Sequence, residues 1–269
     1  LVTAAGSVPG AAVLDVHSDP DHNRSVFTLL GEAPGLVEAM LRLFKVALQS
    51  VDLSRHQGAH PRVGVVDVVP FVPLSEQGGM QEAIAAAMEL ARRVGESLEV
   101  PVFLYGDARR RDELVVPAGL RSLGSRALAR AMEEGRWKPD FGPAHLDPRR
   151  GVSLVGARRP LIAFNVWLDT DRVEIARRIA ARLRESGGGL AAVQAIGVLL
   201  KTRGKAQVSL NLLDWRVTSM YEAMAAVRRE AAACGVAVAG SEIVGLVPKA
   251  AVERERIESL SLLEELSVL

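Results

Sequence analysis

Four of the chain's five histidines, His17, His22, His56 and His60, fall within its first 60 residues. The last two sit in the polar run Ser54-Arg55-His56-Gln57-Gly58-Ala59-His60-Pro61-Arg62, which feeds an apolar stretch from Val63 to Leu74. Imidazoles titrate near neutral pH, so this concentration in loops beside strands points to proton transfer, anion binding or metal ligation. A divalent-metal hydrolase is one reading of His17, Asp19, Asp21, His22, His56 and His60, whose nitrogen and oxygen donors suit such an ion. No HExxH or similar fixed spacing supports it. Gly187-Gly188-Gly189 follows a helical pattern rather than a strand, which excludes a dinucleotide or phosphate loop there.

With 269 residues, 49% of them hydrophobic, the chain can bury one large core or two ordinary ones. Basic and acidic residues number 33 and 32, and the net charge of +1 gives no general pull on nucleic acid or membrane. The single cysteine, Cys234, excludes an intramolecular disulfide and fits a reducing compartment. No apolar run approaches the ~18 residues of a membrane span, and the N-terminus lacks a basic-then-apolar signal, so a cytoplasmic location is expected.

The elements that must hold these groups are clearest in the C-terminal half. Pro160 to Leu168 reads as a strand, Thr170 as the N-cap of a helix to Ser186, and Leu190 to Leu200 as a second strand. After the turn Thr202-Arg203-Gly204-Lys205, Gln207, Ser209 and Asn211 alternate with Val208, Leu210 and Leu212, the pattern of a strand with one polar face. A helix from Thr218 to Cys234 and a strand from Val236 to Val247 complete the order βαββαβ. The first half reads as a helix fragment ending near Gly6, strands at Ala11 to Val16 and Ser25 to Leu30, a helix from Pro34 to Val51 and a strand over Val63 to Phe71. That order, αββαβ, is one strand short; a helix from Met80 to Leu98 and a strand from Val100 to Tyr105 are appended. Because the sequence begins at Leu1, inside an apparent helix, an N-terminal strand is expected to precede it. Gly106 to Arg159 reads as a connecting segment over a cleft, with one helix at Ser125 to Glu134, and Ala250 to Leu269 as an amphipathic helix packing on its own domain. The fold class is α+β: two ferredoxin-like (βαββαβ) subdomains around a cleft, 1–157 and 158–269, the first strand of the N-terminal one lying outside the sequence.

Several runs resemble the signatures of glutamate formimidoyltransferases, the formiminotransferase domain of the formiminotransferase-cyclodeaminase family. They are Asp21-His22-Asn23-Arg24-Ser25-Val26-Phe27-Thr28, the Ser54 to Gly64 run, Asp67-Val68-Val69-Pro70-Phe71, Leu104-Tyr105-Gly106 and Trp137-Lys138-Pro139-Asp140-Phe141-Gly142-Pro143. Val155-Gly156-Ala157-Arg158, Ala163-Phe164-Asn165, Ala206 to Leu212 and Gly240 to Pro248 follow in order, so the resemblance spans essentially the whole chain.

The resemblance implies transfer of a formimino group from N-formimino-L-glutamate to N5 of tetrahydrofolate in histidine breakdown, by a homodimer acting on small molecules. Tetrahydrofolate is then a co-substrate and no metal is expected. Any cyclodeaminase activity is assigned to a separate protein. His60 aligns with the family's catalytic histidine, a general base for N5; His56, four residues earlier, is either structural or a secondary substrate contact. Arg24, Arg55, Arg62 and Arg158 are candidates to grip the carboxylates of glutamate and of the folate tail, with Asn23 beside the first of them. Gly142, Pro143 and Gly151 bound the segment that matches the family's folate-binding stretch, although glycines there also serve as plain turn formers. Gln207 and Asn211 either hydrogen-bond a pterin edge or substrate amide, or simply line an exposed sheet face.

Two departures stand out. Where the family carries Gly-Glu-His-Pro-Arg the chain has Gly58-Ala59-His60-Pro61-Arg62, and where it carries Leu-Asp-Val-Asp the chain has Leu14-Asp15-Val16-His17. The second replaces an acid that orients the base with an imidazole, which makes His17 a second proton-transfer candidate. The alternatives are a paralogue taking another one-carbon donor, such as N-formylglutamate, and a folate-binding protein without turnover.

Overall fold

The computed structural model describes residues 1–74, 79–110, 117–252 and 260–262. The chain divides into two compact units: Leu1–Leu14, Leu29–Gln57 and Pro61–Arg158 form the first, and Asp15–Thr28, Gly58–His60 and Arg159–Leu269 the second.

The first half runs α1 (Val2–Gly6), β1 (Ala11–Asp19), β2 (Arg24–Gly31), α2 (Ala33–Ser50), β3 (Val68–Phe71), α3 (Gly79–Leu98), β4 (Val102–Gly106), α4 (Pro117–Glu133) and β5 (Ser153–Ala157). β1 and β2 form a two-stranded sheet, and β1 alternates half-buried and exposed residues along most of its length, as a strand with one covered face must. Pro34 sits in the first turn of α2, where its missing N–H costs no helical bond. The core of this unit joins Val37, Leu41 and Phe44 of α2 to Leu90 and Val94 of α3 and to Val69, Leu104 and Val155 of the sheet.

The appended helix and strand appear as α3 and β4. β5 is an addition to the sequence reading, and it pairs parallel with both β3 and β4. Its five residues are all buried, so it offers no period of two from which a strand is read. The expected strand over Val63 to Phe71 shortens to β3, because residues 63–67 are committed elsewhere. Asp67 Oδ1 accepts the N–H groups of Val63 (2.8 Å) and Gly64 (3.1 Å), while Oδ2 takes the Arg121 guanidinium through Nε at 2.9 Å and through a second nitrogen.

The second half runs β6 (Ile162–Leu168), α5 (Val173–Leu183), β7 (Val193–Leu200), β8 (Lys205–Leu212), α6 (Met220–Ala232) and β9 (Val238–Val244). This is the βαββαβ order, and the four strands lie β7-β8-β6-β9, all neighbours antiparallel, as in ferredoxin-like folds. Phe164, Val166, Val208 and Leu210 face α5 and α6, where Ile179, Met224 and Val227 close the core. Ser219 opens α6 with a reciprocal capping box to Glu222. Thr170 does not cap α5: the helix begins at Val173 after Arg172, and Thr170 Oγ1 accepts the Arg172 N–H at 3.3 Å. The expected C-terminal helix lies mostly outside the described residues, and its first positions form a short 3-10 turn at Lys249–Ala251. Among the described residues, no helix is long and apolar enough to cross a membrane.

Candidate functional site

The face of the second sheet turned away from α5 and α6 carries Asn165 and Trp167 from β6, Gln207, Ser209 and Asn211 from β8, and Glu242 from β9. Register fixes two rows: Trp167 lies opposite Gln207, and Asn165 lies between Ser209 and Glu242. The tip of the β1–β2 hairpin and the Gly58–His60 segment belong to the same unit. The Ala59 N–H donates to the Asp21 carbonyl at 2.9 Å, and the Asp21 carboxylate accepts the Thr202 N–H at 2.8 Å. The Ala59 methyl packs against Trp167, Val198 and Leu200, which gives the departure at this position a packing role.

These contacts set His60 beside His22, with ring centroids 5.8 Å apart. His22 is 2% exposed and its backbone N–H donates to Asp19 Oδ1 at 2.7 Å. Its tautomer follows from donor logic. Indole N–H only donates, and Trp167 Nε1 lies 2.8 Å from Gln207 Oε1, so that oxygen is the acceptor and Gln207 Nε2 the donor. Gln207 Nε2 lies 3.3 Å from His22 Nε2, which therefore accepts, leaving the ring proton of neutral His22 on Nδ1. Burial pushes the His22 pKa down, the Arg24 charge adds to this, Asp19 and Asp21 oppose it, and His17 lowers it further. Thus His17, His22 and His60 gather in one unit. Gln207 is fully buried rather than part of an exposed polar face, because Trp167 and His22 cover it, and of the two amides only Asn211 stays exposed. His22 and Gln207 are the pair that sequence reasoning did not link; the run Asp21-His22-Asn23-Arg24 was the available signal.

The remaining candidates separate. Asn23 is exposed in the hairpin turn with φ of 49°, a left-handed conformation that asparagine tolerates. Arg24 is half-buried on β2, and Arg55 is exposed at the end of a 3-10 turn. In the first unit Arg62 donates to the His56 carbonyl, and the His56 ring is held below the ordinary histidine range by burial, then by the Arg62 charge, against Asp67. The Arg158 N–H donates to the Phe71 carbonyl at 3.1 Å; its guanidinium is pushed down by burial and up by the Tyr105 phenol. Gly142 is exposed and Pro143 half-buried, whereas Gly151 is buried, with φ of 72° and its backbone bridged to Gly64. Among the described residues, no three His, Cys, Asp or Glu side chains are grouped to hold a metal ion.

Depressed values at His22 and His56 carry a sign. Each binds its proton less readily folded than unfolded, so the stability they contribute is present above the ordinary value of about 6.5 and is lost as pH falls toward their folded values. Urea midpoints are expected to drop between about pH 7.5 and about pH 5.5, and a His22→Gln/His56→Gln variant is expected to show a smaller drop. An undiminished drop in the variant assigns the acid lability to other groups.

Residues 1–158 match the formiminotransferase domain, N-terminal subdomain, and residues 163–255 match the formiminotransferase domain. A glutamate formimidoyltransferase of Streptococcus pyogenes serotype M1 is 43% identical over 92% of the chain and 83% of that protein. One from Thermoplasma acidophilum is 42% identical over 92% of the chain and 82% of its own length. The mouse formimidoyltransferase-cyclodeaminase is 40% identical over 91% of the chain, which spans 46% of that longer protein.

Proposed function

The chain belongs to the formiminotransferase family, and from that premise we propose that it transfers the formimino group of N-formimino-L-glutamate to N5 of tetrahydrofolate with His60 as general base. The observation that supports the assignment of the base is the placement of the His60 ring 5.8 Å from the buried His22 ring, next to the Ala59 backbone held by Asp21. As N5 attacks the amidine carbon, the N5 proton passes to the His60 imidazole. The tetrahedral carbon then expels the glutamate nitrogen, which takes that proton from the His60 imidazolium as it leaves and so restores the free base. Burial pushes the His22 pKa down, which disfavours a second positive charge beside His60 when His60 becomes imidazolium. His17 is the second proton-transfer candidate of this unit.

Arg24, Arg55, Arg62 and Arg158 are proposed to hold the carboxylates of glutamate and of the folate tail, and Asn23, His56, Gln207 and Asn211 to contribute contacts or position these groups. Gly142, Pro143 and Gly151 are proposed to shape the folate-binding segment. On the family resemblance the proposed assembly is a homodimer of two subdomains, 1–157 and 158–269, and the proposed location is cytoplasmic, which the single cysteine fits.

Purified protein given tetrahydrofolate and N-formimino-L-glutamate is expected to form 5-formiminotetrahydrofolate, followed by absorbance, and to do so much faster than with N-formyl-L-glutamate. Tetrahydrofolate binding without turnover would overturn the proposal in favour of a binding protein, and preference for the formyl compound would overturn the donor.

A further inference from the structure

Among the described residues, the second polar row ends in an acceptor with nothing to accept. Ser209 Oγ donates to Asn165 Oδ1 at 2.6 Å, and Asn165 Nδ2 donates to Glu242 Oε1 at 2.9 Å. Glu242 is 2% exposed and Asn165 3%, yet Glu242 Oε2 is buried and meets no hydrogen-bond partner among the described residues. A carboxyl oxygen shielded from water without a donor is destabilising, and a ligand N–H placed there would relieve that cost. Asn165 and Trp167 share one face of β6, two residues or about 7 Å apart, so this row runs beside the one that holds His22.

We propose that Glu242 is the specificity-determining acceptor for the one-carbon donor: Oε2 receives an N–H of the cationic amidine and thereby separates formimino from formyl donors. The inference rests on the formiminotransferase reading and deepens it. An amidine presents N–H where a formyl group presents a carbonyl oxygen, and a shielded acceptor facing that oxygen makes no hydrogen bond and repels it. A site built to pair with a donor rejects an isostere that lacks one far more strongly than a pocket rejects a change of size. The pterin edge is the other N–H-rich group in the reaction, but it pairs two parallel donors with both oxygens of a carboxylate. Glu242 has Oε1 already occupied by Asn165, which leaves a single oxygen unmet among the described residues and suited to one N–H. The row also keeps the carboxyl from turning, since Ser209 orients the Asn165 amide and Asn165 holds Oε1.

The test compares wild type with Glu242→Gln, which retains an oxygen for Asn165 and offers an N–H in place of the second acceptor. Kinetics are measured with N-formimino-L-glutamate and N-formyl-L-glutamate, and tetrahydrofolate affinity by fluorescence. The expected result is a fall in kcat/KM for the formimino donor on the order of tenfold to a hundredfold, no matching fall for the formyl compound, and an unchanged tetrahydrofolate Kd. Unchanged donor selectivity would overturn the inference and leave the reaction assignment standing. A weakened tetrahydrofolate Kd with selectivity intact would overturn it in favour of the pterin edge. Wild type inactive with the formimino donor would overturn both. A measurement independent of the variant's folding uses formamidine and formamide on wild type: formamidine is expected to compete with the formimino donor and formamide not to, and equal inhibition would overturn the inference.

Discussion

Replacing His60 with alanine is expected to lower kcat for formimino transfer by ~10²–10⁴-fold, the range a positioned general base supplies. The fold around it is expected to survive, because the anchors of this segment belong to its neighbour: the Ala59 N–H bond to Asp21 and the Ala59 contacts with Trp167, Val198 and Leu200 do not involve the His60 side chain. The melting midpoint of His60→Ala therefore stays near that of wild type while turnover collapses. The variant leaves space beside His22 where the ring stood, so added imidazole is expected to restore part of the rate, with a dependence on buffer pH that follows the free base. A variant retaining activity within about threefold of wild type would remove His60 from the role of base, since a loss that small falls below what proton transfer contributes. His17, the other half-buried imidazole of this unit, would then be the group to replace next.

The chain shows its second unit more openly than its first, and the reason is physical. In 159–244 the strands each have one face on the core, and the helices are amphipathic, so periods of two and of 3.6 both survive in the sequence. β5 is covered on both faces and keeps neither. Gln207 marks a second limit. Its alternation with Val208 correctly separates the polar face from the core face, but the cover over that polar face comes from His22, 185 residues earlier. No local pattern reports a partner at that distance. His22 and Glu242 lay in runs whose resemblance was visible, Asp21 to Thr28 and Gly240 to Pro248, but only the register of β6, β8 and β9 joins Glu242 to Asn165 and Ser209. Asp67 was likewise visible as part of a run, whereas its bonds to Val63, Gly64 and Arg121 explain why the strand starts late.

Gly151 offers the sharpest separation between a residue that binds and one that holds a loop together. Gly151→Ala is expected to destabilise the protein by about 3 kcal/mol or more, the sum of a left-handed backbone that an L side chain resists and a forced shift in a packed site. Its φ is 72°, and a Cβ there would run into the carbonyl oxygen of Val63, with Leu53 Cδ2 at 2.7 Å and Gly64 Cα at 2.8 Å. The backbone cannot yield cheaply, because the Val152 N–H donates to that same Val63 carbonyl at 2.9 Å and Gly151 is bridged to Gly64. Gly188→Ala isolates the conformational part: φ is 78°, nothing lies within 4 Å of its Cβ, and the expected cost is only about 1 kcal/mol. Thermal melting of the two variants beside wild type checks the pair, and the Gly151 shift is expected to be at least twice the Gly188 shift. Should Gly151→Ala instead melt like Gly188→Ala while tetrahydrofolate affinity falls, the glycine would be kept for ligand approach, and the contact with Val63 would be one the loop relaxes away.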